Sequence, residues 1–163
     1  MIRLAKDKYH VLVADDSAGD RALLKAALRH TARLKIITEV SDGTEVIAYL
    51  RGQAEFSDRE KFPLPDLLLL DLKMPLKDGF HVLEWLKEHP CEGLTIVVLT
   101  DSMQPEHIKR ALDLGADLFQ VKPRASHDRA SMILALEDYL VRSATVVPQY
   151  TGSSRLKLVR SSV

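Results

Sequence analysis

Short apolar runs alternate along the chain with stretches of helical period. The apolar, β-branched or leucine-rich runs predict strands at residues 10–14, 34–40, 67–70, 95–99 and 118–121. Helices are predicted between and after them, at residues 17–30, 44–50, 79–88, 105–114 and 126–142. The pattern therefore predicts five consecutive strand–helix units.

Alternating strands and helices indicate an α/β fold with a doubly wound, five-stranded parallel sheet and helices on both faces. The leucine run at residues 67–70 is apolar at every position, as expected for a strand that is covered on both sides. Residues 51–65 are polar and interrupted by glycine and proline, which predicts a loop. Residues 143–163 show no helical period and are interpreted as a C-terminal tail on a domain of residues 1–142.

Composition narrows the class of protein without naming a function. The 163 residues are 46% hydrophobic and 28% charged, which suits one ordinary globular domain. Lys and Arg balance Asp and Glu at 23 each, so no net charge favours a nucleic acid or an anionic membrane as partner. The single cysteine and the lack of an apolar run of about 20 residues favour a cytoplasmic protein.

Polar residues follow the predicted strands at the points where the strands end. Asp15 and Asp16 follow the first strand, Asp71 the third, Thr100 the fourth and Lys122 the fifth. The carboxyl ends of parallel strands share one edge of a sheet, where ligands of open α/β sheets bind. We therefore expect these side chains to form one site.

Three neighbouring carboxylates repel one another unless a cation neutralises them, and oxygen ligands without His or Cys favour a hard ion such as Mg²⁺. A carboxylate beside Mg²⁺, a lysine and a hydroxyl is suited to phosphoryl transfer, with aspartyl phosphate as the product. Taken singly, an aspartate after a strand is more often a helix cap or turn residue. The hypothesis depends on the five residues acting together.

The combination of motifs resembles the receiver domain of bacterial response regulators, the CheY-like family. The resemblance spans residues 11–140 and is carried by VLVADDS, LPDLLLLDLKMPLKDGF, IVVLTDS, the GAD of residues 115–117 and FQVKP. It implies the flavodoxin-like strand order 2-1-3-4-5.

The resemblance also implies a role for each residue at the strand ends. Asp71 corresponds to the phosphoacceptor, which is also a ligand of Mg²⁺. The other ligands correspond to Asp16, to Asp15 directly or through water, and to the backbone carbonyl of Lys73. Lys122 corresponds to the lysine that pairs first with the acceptor and then with its phosphoryl group.

Three further residues match positions that the family uses to aim or switch the site. Thr100 corresponds to the hydroxyl that moves to bond the phosphoryl group, and Phe119 to the aromatic that swings inward behind it. Pro123 corresponds to a proline whose preceding peptide bond is usually cis in this family.

The implied function is a single-domain response regulator that takes a phosphoryl group from a histidine kinase and signals by contact with a downstream protein. The segment 51–65 resembles that of small regulators serving bacterial phytochrome kinases. The fourth helix, fifth strand and fifth helix form the surface that the family commonly uses for partners, and this surface is a candidate for homodimerisation. Such a chain is expected to catalyse only its own phosphorylation and dephosphorylation, so it is not predicted to be an enzyme. No nucleic-acid or membrane partner is expected.

Two alternatives remain from the sequence alone. A receiver-fold adaptor would use the same fold without phosphorylation. A haloacid-dehalogenase-like phosphatase would also use an aspartate nucleophile and Mg²⁺, but it needs a second aspartate where this chain has Lys73.

Overall fold

The computed structural model describes residues 5–145. Its strands are β1 (Tyr9–Ala14), β2 (Leu34–Val40), β3 (Leu67–Leu70), β4 (Thr95–Thr100) and β5 (Leu118–Val121). Its α-helices are α1 (Ala18–Leu28), α2 (Gly43–Arg51), α3 (Gly79–Glu88), α4 (Pro105–Asp113) and α5 (Ser126–Thr145), with a short 3-10 helix at Ala54–Phe56. The predicted order of elements is confirmed.

The five strands form one parallel sheet in the order β2-β1-β3-β4-β5. The central register pairs Val11 of β1 with Leu67 of β3, and Leu67 with Thr95 of β4. The first strand therefore lies inside the sheet, with β2 on one side and β3, β4 and β5 on the other, which confirms the predicted doubly wound fold.

The two faces of the sheet bury separate sets of side chains, because successive residues of a strand point to opposite faces. In β3, Leu68 and Leu70 face a core closed by α2, α3 and α4, whereas Leu67 and Leu69 face a core closed by α1 and α5. This two-sided burial explains the unbroken leucine run. No helix within residues 5–145 is both long enough and apolar enough to cross a membrane.

Helix α5 extends beyond its predicted end at residue 142 and reaches Thr145. Ala144 lies one helical repeat after Leu140, and both side chains are buried. The first three residues of the predicted tail therefore belong to the helix. The rest of the predicted tail, residues 146–163, lies outside the described residues.

The segment predicted to be a loop, residues 51–65, is packed onto the domain by an aromatic cluster. The ring of Phe56 lies 5.0 Å from that of Tyr49 and 5.3 Å from that of Phe62, measured between centroids. The hydroxyl of Tyr49 donates a hydrogen bond to the carbonyl of Pro63 at 2.8 Å, and Arg59 donates one to the carbonyl of Leu50 at 2.9 Å. The segment is thus part of the core on the α2 face.

We predict that Phe56→Ala lowers the free energy of unfolding by about 3 kcal/mol, because it removes a buried ring from a packed cluster. Leu64→Ala in the same segment is the matched control, since the side chain of Leu64 is 58% exposed. Urea denaturation followed by circular dichroism measures both. Equal, small effects of the two substitutions would mean that the segment does not contribute to the core.

Candidate functional site

The main-chain pairing of the sheet brings the predicted site residues to one edge. The amide of Asp71 donates to the carbonyl of Ala14 at 2.9 Å, and the amide of Lys122 donates to the carbonyl of Thr100 at 2.9 Å. Each residue therefore directly follows or ends a strand that is hydrogen-bonded to its neighbour. The predicted convergence of the strand ends is present in the structure.

Three aspartates at this edge form a compact oxygen cluster. One carboxylate oxygen each from Asp15, Asp16 and Asp71 lies within 4.8 Å of the others. Asp15 and Asp71 are buried, with 2% and 6% of their surface exposed, whereas Asp16 is exposed. Such a set of oxygen donors, open to solvent on one side, suits a hard divalent cation.

Lys122 is the cation that the structure places among these carboxylates. Its Nζ lies 2.7 Å from Oδ2 of Asp15, 2.8 Å from Oδ2 of Asp20 and 2.9 Å from Oδ2 of Asp71. Only 12% of the lysine side chain is exposed. One ammonium group thus binds acids from β1, α1 and β3 at the same time.

Asp20 is a member of this group that sequence reasoning did not find. Its position in the first turn of α1, with its amide bonded to the N-cap Ser17 at 3.2 Å, matches the predicted helix start. That local role accounts fully for an acid at this position, so no pattern in the sequence pointed to Lys122, 102 residues away.

Burial and ion pairing shift the pKa values of Asp15 and Lys122 in opposite directions. Burial raises the pKa of Asp15, and hydrogen bonds from Lys122 and the Ser17 amide only partly offset it. For Lys122, burial alone would lower the pKa, but hydrogen bonds to Asp15, Asp20 and Asp71 outweigh that effect and raise it. The lysine is therefore a permanent positive charge in the site.

The segment after β3 holds Asp71 against the rest of the site. The amide of Lys73 donates to Oδ1 of Asp71 at 3.2 Å. Lys73 also lines an open cleft of about 540 Å³, together with Asp16 and His107. The structure therefore places the backbone of Lys73 beside the acidic cluster.

Thr100 and Phe119 lie on the neighbouring strands β4 and β5. Thr100 is fully buried, and its Oγ1 accepts a long hydrogen bond of 3.5 Å from the amide of Ser102. Phe119 is half-buried and packs against the core on the α4 side of the sheet. The two predicted switch residues thus lie on neighbouring strands, where Phe119 pairs with Val98 and Thr100 pairs with Val121.

The predicted cis bond before Pro123 is wrong for this structure, because residues 5–145 contain no cis peptide bond. The ammonium of Lys122 reaches its three carboxylates with the trans bond. The backbone sets the direction of the Lys122 side chain. Val121, the residue before Lys122, pairs with Thr100, and the Lys122 amide donates a hydrogen bond to the Thr100 carbonyl.

A parallel sheet in this order with an aspartate–lysine cluster at its carboxyl edge defines a class of signalling α/β domain. The chain belongs to the response regulator receiver domain family, whose model matches residues 11–134. Members of this family are typically phosphorylated on an aspartate and bind a divalent metal ion at an acidic pocket. They receive the phosphoryl group from histidine kinases.

Individual relatives cover nearly the whole described part of the chain. Response regulator Rcp1 of Synechocystis sp. is 29% identical over 83% of this chain and 91% of its own length. The structure of its Mn²⁺-bound form matches with a TM-score of 0.71 over 85% of this chain and 97% of Rcp1.

Two further solved structures are similar. Phosphorylated RcpA, a cyanobacterial phytochrome response regulator, is 28% identical with a TM-score of 0.75, covering 85% of this chain and 97% of RcpA. RPA3017 of R. palustris, from red light signalling, is 32% identical with a TM-score of 0.74, covering 80% of this chain and 92% of RPA3017.

We predict that Lys122→Met lowers the free energy of unfolding by about 3 kcal/mol at neutral pH and low salt, because buried carboxylates lose their common partner. Lys109→Met is the control, since the exposed Lys109–Asp113 pair contributes within about 0.5 kcal/mol. Urea denaturation measures the difference. Equal stabilities of the two variants would contradict a dependence of the acidic cluster on Lys122.

Proposed function

We propose that this chain is a response regulator of a two-component phosphorelay that accepts a phosphoryl group on Asp71 from a histidine kinase in the presence of Mg²⁺. The observation that carries the proposal is the position of Asp71. It shares an oxygen cluster with Asp15 and Asp16 and also lies 2.9 Å from the ammonium of Lys122.

The acceptor step uses a carboxylate oxygen of Asp71 as the nucleophile. A new bond forms between this oxygen and phosphorus while the bond between phosphorus and the kinase imidazole nitrogen breaks, and that nitrogen keeps the electron pair. Asp15, Asp16, Asp71 and the Lys73 carbonyl would hold Mg²⁺, whose charge stabilises the phosphoryl oxygens. The chain's chemistry is confined to its own phosphorylation and dephosphorylation, so it is not an enzyme acting on other substrates.

Lys122 changes partners in this scheme. Before transfer its ammonium binds Asp15, Asp20 and Asp71. After transfer Asp71 carries a phosphoryl group with two negative charges, and the same ammonium pairs with a phosphoryl oxygen. The positive charge that holds the resting cluster together thereby stabilises the product.

Thr100 and Phe119 would convert this local change into a signal. The hydroxyl of Thr100 moves to donate to a phosphoryl oxygen, and Phe119 moves inward into the space behind it. Active and inactive forms differ by only a few kcal/mol, so the new hydrogen bonds shift the population towards the active form. The message passes to a downstream protein through α4, β5 and α5, a surface where two copies of the chain also pair.

The proposed kinase is of the phytochrome type. The similarity to the phytochrome response regulator RcpA and to RPA3017 of red light signalling supports this assignment. The balanced charge of the chain, with 23 basic and 23 acidic residues, gives no support to a nucleic-acid partner.

We predict that incubation with acetyl phosphate or phosphoramidate and Mg²⁺ adds one phosphoryl group to the wild type and none to Asp71→Asn. The amide of the variant is not a nucleophile for phosphorus. Asp113→Asn is the control, because Asp113 is an exposed residue at the end of α4 and lies outside the acidic cluster. Intact-protein mass spectrometry and peptide mapping measure the product.

A wild type that gains no phosphoryl group from either donor would favour the adaptor without phosphorylation. Phosphate mapped to another residue, or retained by Asp71→Asn, would contradict the assignment of the acceptor.

We predict that Thr100→Ala is phosphorylated on Asp71 about tenfold more slowly, because it lacks one hydrogen bond to a charged group. Its amide signals in β4 and β5 should also shift less on phosphorylation. Thr95→Ala is the control, since Thr95 is a buried threonine at the opposite end of the same strand. Nuclear magnetic resonance before and after phosphorylation measures the response, and identical shifts in both variants would exclude Thr100 as the switch.

A further inference from the structure

The loop that follows β3 carries the acceptor Asp71 and the predicted metal ligand Lys73, and the N-termini of α2 and α3 contact this loop. We call residues 71–78 the acceptor loop. Its first half touches Gly79, the first residue of α3, and its second half touches Gly43, the first residue of α2. Helix α2 contributes no residue to the predicted site, so its contact with this loop has no assigned role.

The contact with Gly79 fixes the start of the loop. The amide of Gly79 donates to the carbonyl of Leu72 at 3.0 Å. A Cβ added at Gly79 would lie 2.4 Å from the carbonyl oxygen of Asp71 and 2.8 Å from the Cα of Leu72. Only a residue without a side chain allows this approach of two backbones.

The contact with Gly43 fixes the far end of the loop in the same way. The buried Gly43 donates its amide hydrogen to the carbonyl of Lys77 at 2.8 Å. A Cβ at Gly43 would lie 2.3 Å from that carbonyl oxygen and 2.9 Å from the carbonyl carbon. Because these are backbone atoms, a larger residue at position 43 must displace the acceptor loop or the start of α2.

The loop between these two contacts depends on its surroundings for its shape. Leu76 has φ of 62°, a left-handed conformation that disfavours residues with a branched side chain, and 82% of its surface is exposed. Packing of its side chain therefore does not hold the turn. The buried side chains of Leu72 and Met74 anchor the first half of the loop in the core, and the hydrogen bonds of Gly43 and Gly79 add a backbone contact on each side of the turn.

We propose that Gly43 is a positioning residue for metal binding and phosphorylation. Its missing side chain lets α2 hold Lys77, and this contact keeps the acceptor loop in the shape that presents the Lys73 carbonyl to the cation. The inference rests on the proposed function, because it takes the Lys73 carbonyl as a metal ligand. It extends the site to a helix that supplies none of its ligands.

The test is the affinity of the full chain for Mn²⁺, measured by electron paramagnetic resonance well below the unfolding temperature. Gly43→Ala should bind Mn²⁺ roughly tenfold more weakly than the wild type, the size of effect seen when a residue supporting a metal ligand is changed. Phosphorylation by acetyl phosphate at limiting Mg²⁺ should slow by a similar factor.

Two control variants separate positioning from stability. Gly19→Ala places a methyl group in α1 where the nearest atom is 3.8 Å away, so its Mn²⁺ affinity should equal that of the wild type. Leu140→Ala removes a buried side chain from the opposite face of the sheet, so it should unfold at a lower temperature and yet bind Mn²⁺ normally. If Leu140→Ala loses affinity as Gly43→Ala does, the effect is one of general stability and the inference is overturned.

The outcomes also separate this inference from the proposed function. A wild type that binds no Mn²⁺ contradicts the metal site itself, whereas normal binding by both wild type and Gly43→Ala contradicts only the role of Gly43. If Gly43→Ala does not fold, Asp42→Ala replaces it, because the Asp42 side chain caps the same turn through the amide of Glu45 at 2.9 Å. Loosening this cap should weaken Mn²⁺ binding, and unchanged affinity would overturn the inference.

Discussion

The ion pairs of Lys122 are the interaction on which the rest of the site depends. Its ammonium lies within 2.9 Å of an oxygen of Asp15, Asp20 and Asp71, which come from three different elements. Two of these acids are buried, and clustered carboxylates in a poorly solvated place repel one another strongly unless a positive charge lies among them. The arrangement keeps Asp71 in place and supplies the charge that a phosphoryl group on it would need.

The order of the strands in the sheet makes the ion pairs of Lys122 possible. Lys122 directly follows β5, at one edge of the sheet, while Asp15 and Asp71 follow the adjacent strands β1 and β3. Two separate cores cover the sheet, so apolar burial stabilises the strands, and the acids of the site lie at the carboxyl ends of β1 and β3. The order of the strands thus positions Asp15, Asp71 and Lys122, and α1 adds Asp20 from its first turn.

The sequence predicted those parts of the structure that depend on local pattern. The run of four leucines in β3 indicates a strand, and the aspartates that follow the parallel strands β1 and β3 must reach the same sheet edge. Contacts set by tertiary geometry were missed. Asp20 carried a sufficient local explanation as a helix acid, and the packing of Phe56 and Phe62 on Tyr49 follows no helical or strand period. Nothing in the sequence near Gly43 indicates that α2 reaches Lys77.

The most direct test of a magnesium-centred acceptor site is a crystal structure of the chain with Mn²⁺ and beryllofluoride, read by the anomalous scattering of manganese. The account predicts one anomalous peak among the oxygens of Asp15, Asp16, Asp71 and the Lys73 carbonyl, with beryllofluoride on Asp71 and the ammonium of Lys122 bound to a fluorine. A peak elsewhere, or beryllofluoride on another residue, would contradict it.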